Sequence, residues 1–320
     1  MNPVKCLDQV VTDKYALYHG DSCEVLKGMP DASVGFSVFS PPFVSLYTYS
    51  NSPRDLGNVR DDAEFLAHFA WLAPELLRVT KPGRLLSFHC MDMPTSKERD
   101  GYIGLRDFRG DMIRSFQAAG WIFHSSVTIW KDPVTAMQRT KALGLLHKTI
   151  MKDSCMSRQG IPDYLVTMRK PGTNDDPVSG PLVEYVGTDS RDFLCADEYR
   201  NSINIWQRYA SPVWMDIDQS DTLTRDGARE HDDERHVCPL QLQVIHRAID
   251  LWSNPGDVIL TPFGGIGSEA YEAIRMGRKA VACELKASYF AQMVKNCENA
   301  TKHMTGDLFA STTAPDESDA

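Results

Sequence analysis

Short apolar runs closed by turn residues alternate along this chain with segments whose apolar positions recur every three or four residues. These are the periodicities of buried strand and amphipathic helix. Tyr15-Ala16-Leu17-Tyr18-His19 reads as a first strand, left through Gly20-Asp21-Ser22 into a helix beginning at Glu24-Val25-Leu26. Val34 to Phe39 is a second strand, and Ser40-Pro41-Pro42-Phe43 stops it. Two prolines withhold two ladder donors and fix φ, so the strand ends as a stiff, protruding tip. A polar loop rich in Tyr, Ser and Asn, Val44 to Asn58, is predicted over that tip. Phe65, Leu66, Phe69, Leu72, Leu76 and Leu77 make one helical face over 62–79, ending at Lys81-Pro82-Gly83. Leu85 to Cys90 is the next strand, Phe108 to Ala119 a helix closed by Gly120, and Trp121 to Trp130 a further strand. Strand, helix, strand in this order predicts an α/β fold, a Rossmann-like, doubly wound and mostly parallel sheet.

From Val134 to Arg235 the periodicity fades. Met137 to Met151 reads as a helix, but Gly160, Pro162, Pro171-Gly172, Pro177, Gly180-Pro181 and Pro212 break the remainder into loops and short pieces. Regularity returns with a helix over Pro239 to Trp252, closed by Asn254-Pro255-Gly256, and a strand Asp257 to Leu260. The turn Thr261-Pro262-Phe263-Gly264-Gly265-Ile266-Gly267 follows, then a helix from Ser268 to Met276, the strand Lys279 to Glu284, and a helix from Tyr289 to Ala300. The expected organisation is 1–133 as one half of an α/β domain, 134–235 as an inserted recognition region, 236–300 as the other half, and 301–320 as a polar, disordered tail.

Composition adds bounds. In 320 residues with 42% hydrophobic content the chain can bury a large core. Charges run through Met1 to Val11, and no window approaches eighteen uninterrupted apolar residues, so neither a secretory leader nor a membrane span is expected. An intracellular, cytoplasmic protein follows. The eight cysteines form no C-x-x-C pair, which suits reduced thiols and gives no zinc frame, and no metal is expected. The net charge of −9 argues against a polyanionic partner until its distribution is read. Between Lys131 and Lys170 eight basic residues face three acidic ones, while acids dominate from Pro171 to Arg235.

The later half carries the cofactor chemistry. A strand, a glycine-rich turn, a helix, and a second strand ending in an acid make a nucleotide-type site. The glycines admit a ligand close to the backbone, the helix offers amides, and Glu284 can accept from ribose hydroxyls. The same geometry serves NAD, but Phe263-x-Gly265-x-Gly267 is not G-x-G-x-x-G, which disfavours a dinucleotide.

The cofactor half therefore follows the Ser-Pro-Pro-Phe half. With Gly20-Asp21, Ser40-Pro41-Pro42-Phe43, Lys81-Pro82-Gly83, Trp130-Lys131, His236-x-x-Pro239 and Phe263-x-Gly265-x-Gly267 in this order, the chain resembles the beta class of DNA amino-methyltransferases. These are circularly permuted S-adenosyl-L-methionine enzymes acting on the exocyclic nitrogen of cytosine or adenine. The resemblance runs from Tyr18 to about Ala300, apart from the middle region. It implies that Ser40 and the Pro41 carbonyl bond the target amino group, with Pro42 stiffening the tip and Phe43 stacked on a flipped base. It implies Glu284 at the cofactor ribose, Asp21 at the adenine edge rather than as a helix cap, and Pro262, Phe263, Gly265, Gly267 and Ser268 around the methionine portion, with His236 a further contact. Two positions depart from the pattern: Thr261 stands where the family commonly has Asp, and His-Val-Cys-Pro replaces a His-Pro form.

What the resemblance implies is a cytoplasmic, bacterial or phage-encoded, nucleoid-associated enzyme of DNA methylation, acting on double-stranded DNA by base flipping. A cognate restriction endonuclease is one possible partner, and either a monomer or a homodimer is compatible. Lys131 is assigned to phosphate, and Arg139, Arg158 and Gln159 to base edges, since Arg and Gln make bidentate groove contacts. Ser at the head of the motif favours N4 of cytosine, with N6 of adenine as the alternative. A catalytically dead DNA-binding decoy, or methylation of RNA or protein glutamine, is the competing reading.

Overall fold

The computed structural model describes residues 4–42, 62–95, 97–140, 143–189, 196–224 and 239–310. Phe43, His236 and the loop expected over 44–58 lie outside the described residues, as does the side chain of Arg139. Among the described residues, nine strands form one sheet. In spatial order they are β1 (Asp8–Val11), β2 (Tyr15–His19), β11 (Lys279–Glu284), β10 (Val258–Thr261), β3 (Val34–Phe39), β4 (Thr80–Cys90), β8 (Asp163–Arg169), β7 (Ile122–Ile129) and β9 (Val213–Trp214). A small hairpin pairs β5 (Met93–Pro94) with β6 (Leu105–Arg106). The helices are α1 (Ser22–Lys27), α2 (Asp62–Val79), α3 (Lys97–Asp100), α4 (Phe108–Ala118), α5 (Pro133–Thr140), α6 (His147–Lys152), α7 (Glu198–Tyr209), α8 (Leu242–Trp252), α9 (Ser268–Arg275) and α10 (Ala287–Ala310).

The sheet centre, β2-β11-β10-β3-β4, is parallel throughout. Its core lies on two faces. Leu17, Phe36 and Val38 pack with Val244, Ile245, Ala273, Ile274 and Met293 of α8, α9 and α10. Phe39 and Phe88 pack with Leu26, Phe65, Phe69, Leu76, Met112 and Phe116 of α1, α2 and α4. All six residues of β3 are buried, as its position between covered faces requires. Each of the fully buried Phe36, Phe39 and Phe88 stabilises the fold by roughly 1.5–3 kcal/mol.

The sheet is mostly parallel, as expected, with antiparallel pairs where β1 meets β2 and where β8 lies between β4 and β7. Other expectations are corrected. The 134–235 stretch is thus no wholly separate insertion, since it supplies β8 to the interior of the sheet and β9 to its edge. Tyr164 to Met168 is a strand-length apolar run, but Pro162 and Pro171 frame it so closely that it reads as loop. Lys81-Pro82-Gly83, expected to close the helix, already belongs to β4, which starts at Thr80 directly after α2, with Gly83 at φ 71°. The helix expected over Met137 to Met151 is divided between α5 and α6. Helix α10 runs past Ala300 to Ala310, with the Thr301 hydroxyl donating to the Cys297 carbonyl at 3.0 Å, so the first part of the expected tail is helical.

Candidate active site

Strand direction gathers the site. The carboxyl ends of β2, β11, β10, β3 and β4 lie along one edge, which is where open α/β sheets bind ligands. Because β8 runs the other way, it is its first residue, Asp163, that reaches the same edge, beside the last residue of β7, Ile129. One edge therefore holds Gly20-Asp21-Ser22, Glu284, the turn 262–267, Ser40-Pro41-Pro42, His89, Lys131 and Asp163.

The glycine-rich turn is a cradle built on backbone. Gly264 donates to the Cys283 carbonyl at 2.7 Å, Gly267 donates to Gly264 at 2.7 Å, and the Ser22 hydroxyl donates to the Pro262 carbonyl. Gly267, at φ 91°, immediately precedes α9, whose first residue is the buried Ser268. A Cβ on Gly267 would sit 2.8 Å from Met293 Cγ. Gly265 differs: at φ 52°, a Cβ there would meet nothing within 4 Å. Its N–H donates to Glu284 Oε2 at 2.7 Å, and the Lys286 N–H donates to Oε1 at 2.7 Å. Two backbone amides thus fix the Glu284 carboxylate at the end of β11.

Asp21 is a helix cap after all: Oδ1 accepts from the Glu24 N–H at 3.2 Å. The cap also holds it at the site edge, because Gly20 beside it donates to the Glu284 carbonyl at 2.9 Å. Thr261 is 1% exposed, and its hydroxyl has no hydrogen-bond partner among the described residues.

The Ser-Pro-Pro tip adjoins this cradle. Leu260 pairs with Ser37, and the Phe39 and Phe263 ring centroids are 5.8 Å apart, so the tip and the turn leave neighbouring strands side by side. Ser40 Oγ lies 3.2 Å from Nδ1 of His89. On the far side of that ring, Nε2 lies 3.0 Å from Asp163 Oδ2, a close contact rather than a well-aligned hydrogen bond. Lys131 Nζ lies 2.6 Å from the same oxygen. Burial alone would raise the Asp163 carboxyl, but the neighbouring His89 and Lys131 outweigh it and hold the group below the ordinary carboxylate range.

His89 and Asp163 are absent from the set assigned from sequence. The signal for His89 is its place near the end of the Leu85 to Cys90 strand, one residue past Phe88, which pairs with Phe39; Asp163 lies in a stretch whose prolines read as loop. Lys131, assigned to phosphate, instead pairs with Asp163. Arg158 and Gln159 make no hydrogen bond to Ser40, His89 or Asp163 among the described residues. Arg158 donates to the Gln159 carbonyl at 3.3 Å and is half-buried, and Gln159 is exposed.

A nine-stranded mixed α/β sheet with a glycine-rich cofactor cradle beside a rigid Ser-Pro-Pro tip defines the class: a Rossmann-like fold of the methyltransferase type. The family model N6_N4_Mtase, DNA methylase, matches residues 36–295, and the chain belongs to that family. It is 24% identical over 300 residues to the type II methyltransferase M.BamHI of Bacillus amyloliquefaciens, covering 93% of this chain and 61% of that protein. The chain thus spans about three fifths of that relative's length. With M.ScaI of Streptomyces caespitosus it shares 23% identity, over 87% of this chain and 79% of the other. Among solved structures, a DNA modification methylase of Thermus thermophilus, TTHA0409, complexed with S-adenosyl-L-methionine, superposes with a TM-score of 0.61 at 22% identity, covering 89% of this chain and 93% of that one. PvuII DNA methyltransferase (cytosine-N4-specific) does so at 0.60 and 16%, covering 91% and 92%. At these identities the structures show a shared fold.

Membership of this family indicates S-adenosyl-L-methionine as the cofactor. The residues present fit it: open space above Gly265, a fixed carboxylate at the end of β11, and a buried unpartnered hydroxyl at Thr261. No helix among the described residues is long and apolar enough to cross a membrane.

Proposed function

We propose that this chain methylates an exocyclic amino nitrogen of a base in duplex DNA, with N4 of cytosine as the acceptor and N6 of adenine as the alternative. The observation that carries the reading is the adjacency of the Ser40-Pro41 tip and the 262–267 cradle on neighbouring parallel strands. Ser heading the motif supports cytosine.

In this reading Glu284 takes the ribose hydroxyls, the Asp21 oxygen not used in capping takes the adenine edge, Pro262, Phe263, Gly265, Gly267 and Ser268 enclose the methionine portion, and His236 is a further cofactor-binding residue. Bound there, S-adenosyl-L-methionine supplies an electrophilic methyl group. An exocyclic amine is a weak nucleophile because its lone pair is delocalised into the ring. Hydrogen bonds from its protons to Ser40 and the Pro41 carbonyl favour a pyramidal nitrogen and aim the lone pair. Positioning of this kind carries much of the rate, and the Pro41-Pro42 pair fixes it. The base must leave the duplex to reach the tip, and Phe43 replaces the lost stacking. Arg139, Arg158 and Gln159 read base edges from the segment between β7 and β8. A restriction endonuclease of matching specificity is one partner this reading allows.

The test is incubation with duplex DNA and methyl-tritiated S-adenosyl-L-methionine, followed by nucleoside mass spectrometry. N4-methylcytosine is expected. N6-methyladenine alone would move the acceptor to adenine, and cofactor binding with no methylated nucleoside would leave the decoy reading standing. Methylome sequencing of expressing cells gives the recognition site.

A further inference from the structure

The side chains behind Ser40 form a buried line whose chemistry the motif does not require. On β4, Leu85, Ser87 and His89 share one face, while Leu86, Phe88 and Cys90 enter the opposite core. Leu85 packs in the apolar core, and Ser87 is satisfied by Thr167 on β8 at 2.9 Å. His89 ends this face at the site edge, 8% exposed, with Ser40 Oγ 3.2 Å from Nδ1. His89 is in register with Leu165, so Asp163, two residues earlier on β8, is its diagonal neighbour and presents Oδ2 3.0 Å from Nε2. Asp163 is 2% exposed, and its Oδ1 has no hydrogen-bond partner among the described residues. A buried carboxylate so incompletely satisfied is costly unless it serves something. Lys131 Nζ, 2.6 Å away, keeps it anionic.

We propose that His89, held by Asp163 and Lys131, is the proton acceptor behind Ser40 in methyl transfer. The inference rests on the function proposed above and assigns residues the family motif does not name. Because an ionised carboxylate only accepts, the tautomer used is the one with Nε2–H toward Asp163 and the Nδ1 lone pair toward Ser40. The amino nitrogen gains the methyl group, the electron pair of the donor's C–S bond staying on sulfur. In the same step one N–H proton passes to Ser40 Oγ and the Ser40 hydroxyl proton passes to His89 Nδ1, the N–H electron pair remaining on nitrogen. One positive charge disappears from the donor and one appears on the imidazole, where the Asp163 carboxylate meets it. The proton leaves to solvent after product release, restoring neutral His89. His89 acts through Ser40 and is thus a positioning and proton-accepting residue.

The experiment is rapid-quench single-turnover transfer to duplex DNA with wild type, His89→Asn and Asp163→Asn, with cofactor affinity measured by calorimetry. Asn at 89 retains an acceptor near the Nδ1 position but cannot take a proton. A slowing of about 10²-fold or more in the transfer rate is expected for it, with cofactor Kd unchanged, and a smaller slowing for Asp163→Asn. Wild-type rate in His89→Asn would overturn the proton role. The wild type supplies a second measurement that needs no variant: a solvent deuterium isotope effect on the single-turnover step is expected, and its absence overturns the relay. If the wild type transfers methyl groups but either result goes against the relay, only the relay fails; if it methylates no nucleoside, the function it rests on has failed.

Discussion

Gly265→Ala separates the folding role of the glycine-rich turn from its binding role. Gly265 sits at φ 52°, so an alanine there carries left-handed strain of about 1–2 kcal/mol. The added methyl would meet nothing within 4 Å, so no packing penalty accompanies the strain. Stability should therefore fall by only about 1–2 kcal/mol. If the open space above Gly265 holds the cofactor, the same methyl overfills an occupied site at a cost of about 1–3 kcal/mol, or roughly 5- to 150-fold in affinity. Gly267→Ala is the control of opposite kind: φ is 91°, and its Cβ would lie 2.8 Å from Met293 Cγ and 3.3 Å from Met293 Cα, so the fold bears the clash. Urea unfolding and calorimetric titration with S-adenosyl-L-methionine read the two quantities. Wild-type affinity in Gly265→Ala would refute the placement of the cofactor above this turn, and a stability loss beyond about 3 kcal/mol would refute the claim that the space is open.

Two further outcomes concern buried charge. Arg247, wholly buried, donates to both Asp216 oxygens at 3.1 and 2.8 Å and to the Val186 carbonyl, so Arg247→Ala strands a carboxylate; urea unfolding should show a loss of about 3–5 kcal/mol, and a loss below about 1 kcal/mol would contradict it. In the first turn of α9, burial pushes the Glu269 carboxyl up to about 8. Between pH 5 and 8 the unfolded chain releases this proton while the folded chain keeps it, so wild-type stability falls with rising pH by up to about 1.4 kcal/mol per unit. Glu269→Gln should lack that slope and be the more stable protein at pH 8; parallel pH profiles from urea unfolding would refute the assignment.

The periodicities reveal the central strands and their covering helices because those elements are buried on predictable faces: β3 as an apolar run, α2 through Phe65, Phe69, Leu72 and Leu76. The edge on which Asp21, Glu284, the turn and Ser40 assemble follows from parallel strands, whatever order the chain visits them in. What sequence does not show is β8. Its short apolar run is masked by the prolines that bracket it and the irregular segment before it, and its direction is fixed only by pairing with β4 and β7. Without that direction Asp163 cannot be placed beside His89, and the side chains behind Ser40 stay invisible although each residue is in plain view. Asp21 teaches the converse: capping and site placement are not alternatives, because the cap positions the carboxylate.

The charge count illustrates a related limit and yields a test. Eight basic residues between Lys131 and Lys170 suggest a uniformly phosphate-seeking segment. Yet Lys131 pairs with Asp163, and Lys170 Nζ donates to the carbonyls of Thr80 at 2.7 Å and Arg78 at 3.3 Å, burial lowering its ammonium. Those two cations hold the fold. Lys148 and Lys152 of α6 are exposed, on the segment that leaves β7 and enters β8 at the same edge. Each phosphate neutralised contributes about 0.9 to the slope of log affinity against log salt on duplex DNA. Lys148→Ala with Lys152→Ala should therefore reduce the slope by about 2 while leaving single-turnover transfer at saturating DNA unchanged. Lys131→Met should do the reverse, keeping the slope and slowing transfer, because it releases the carboxylate behind His89. A Lys131→Met protein that transfers normally but loses salt dependence would return Lys131 to the phosphates and separate Asp163 from the chemistry.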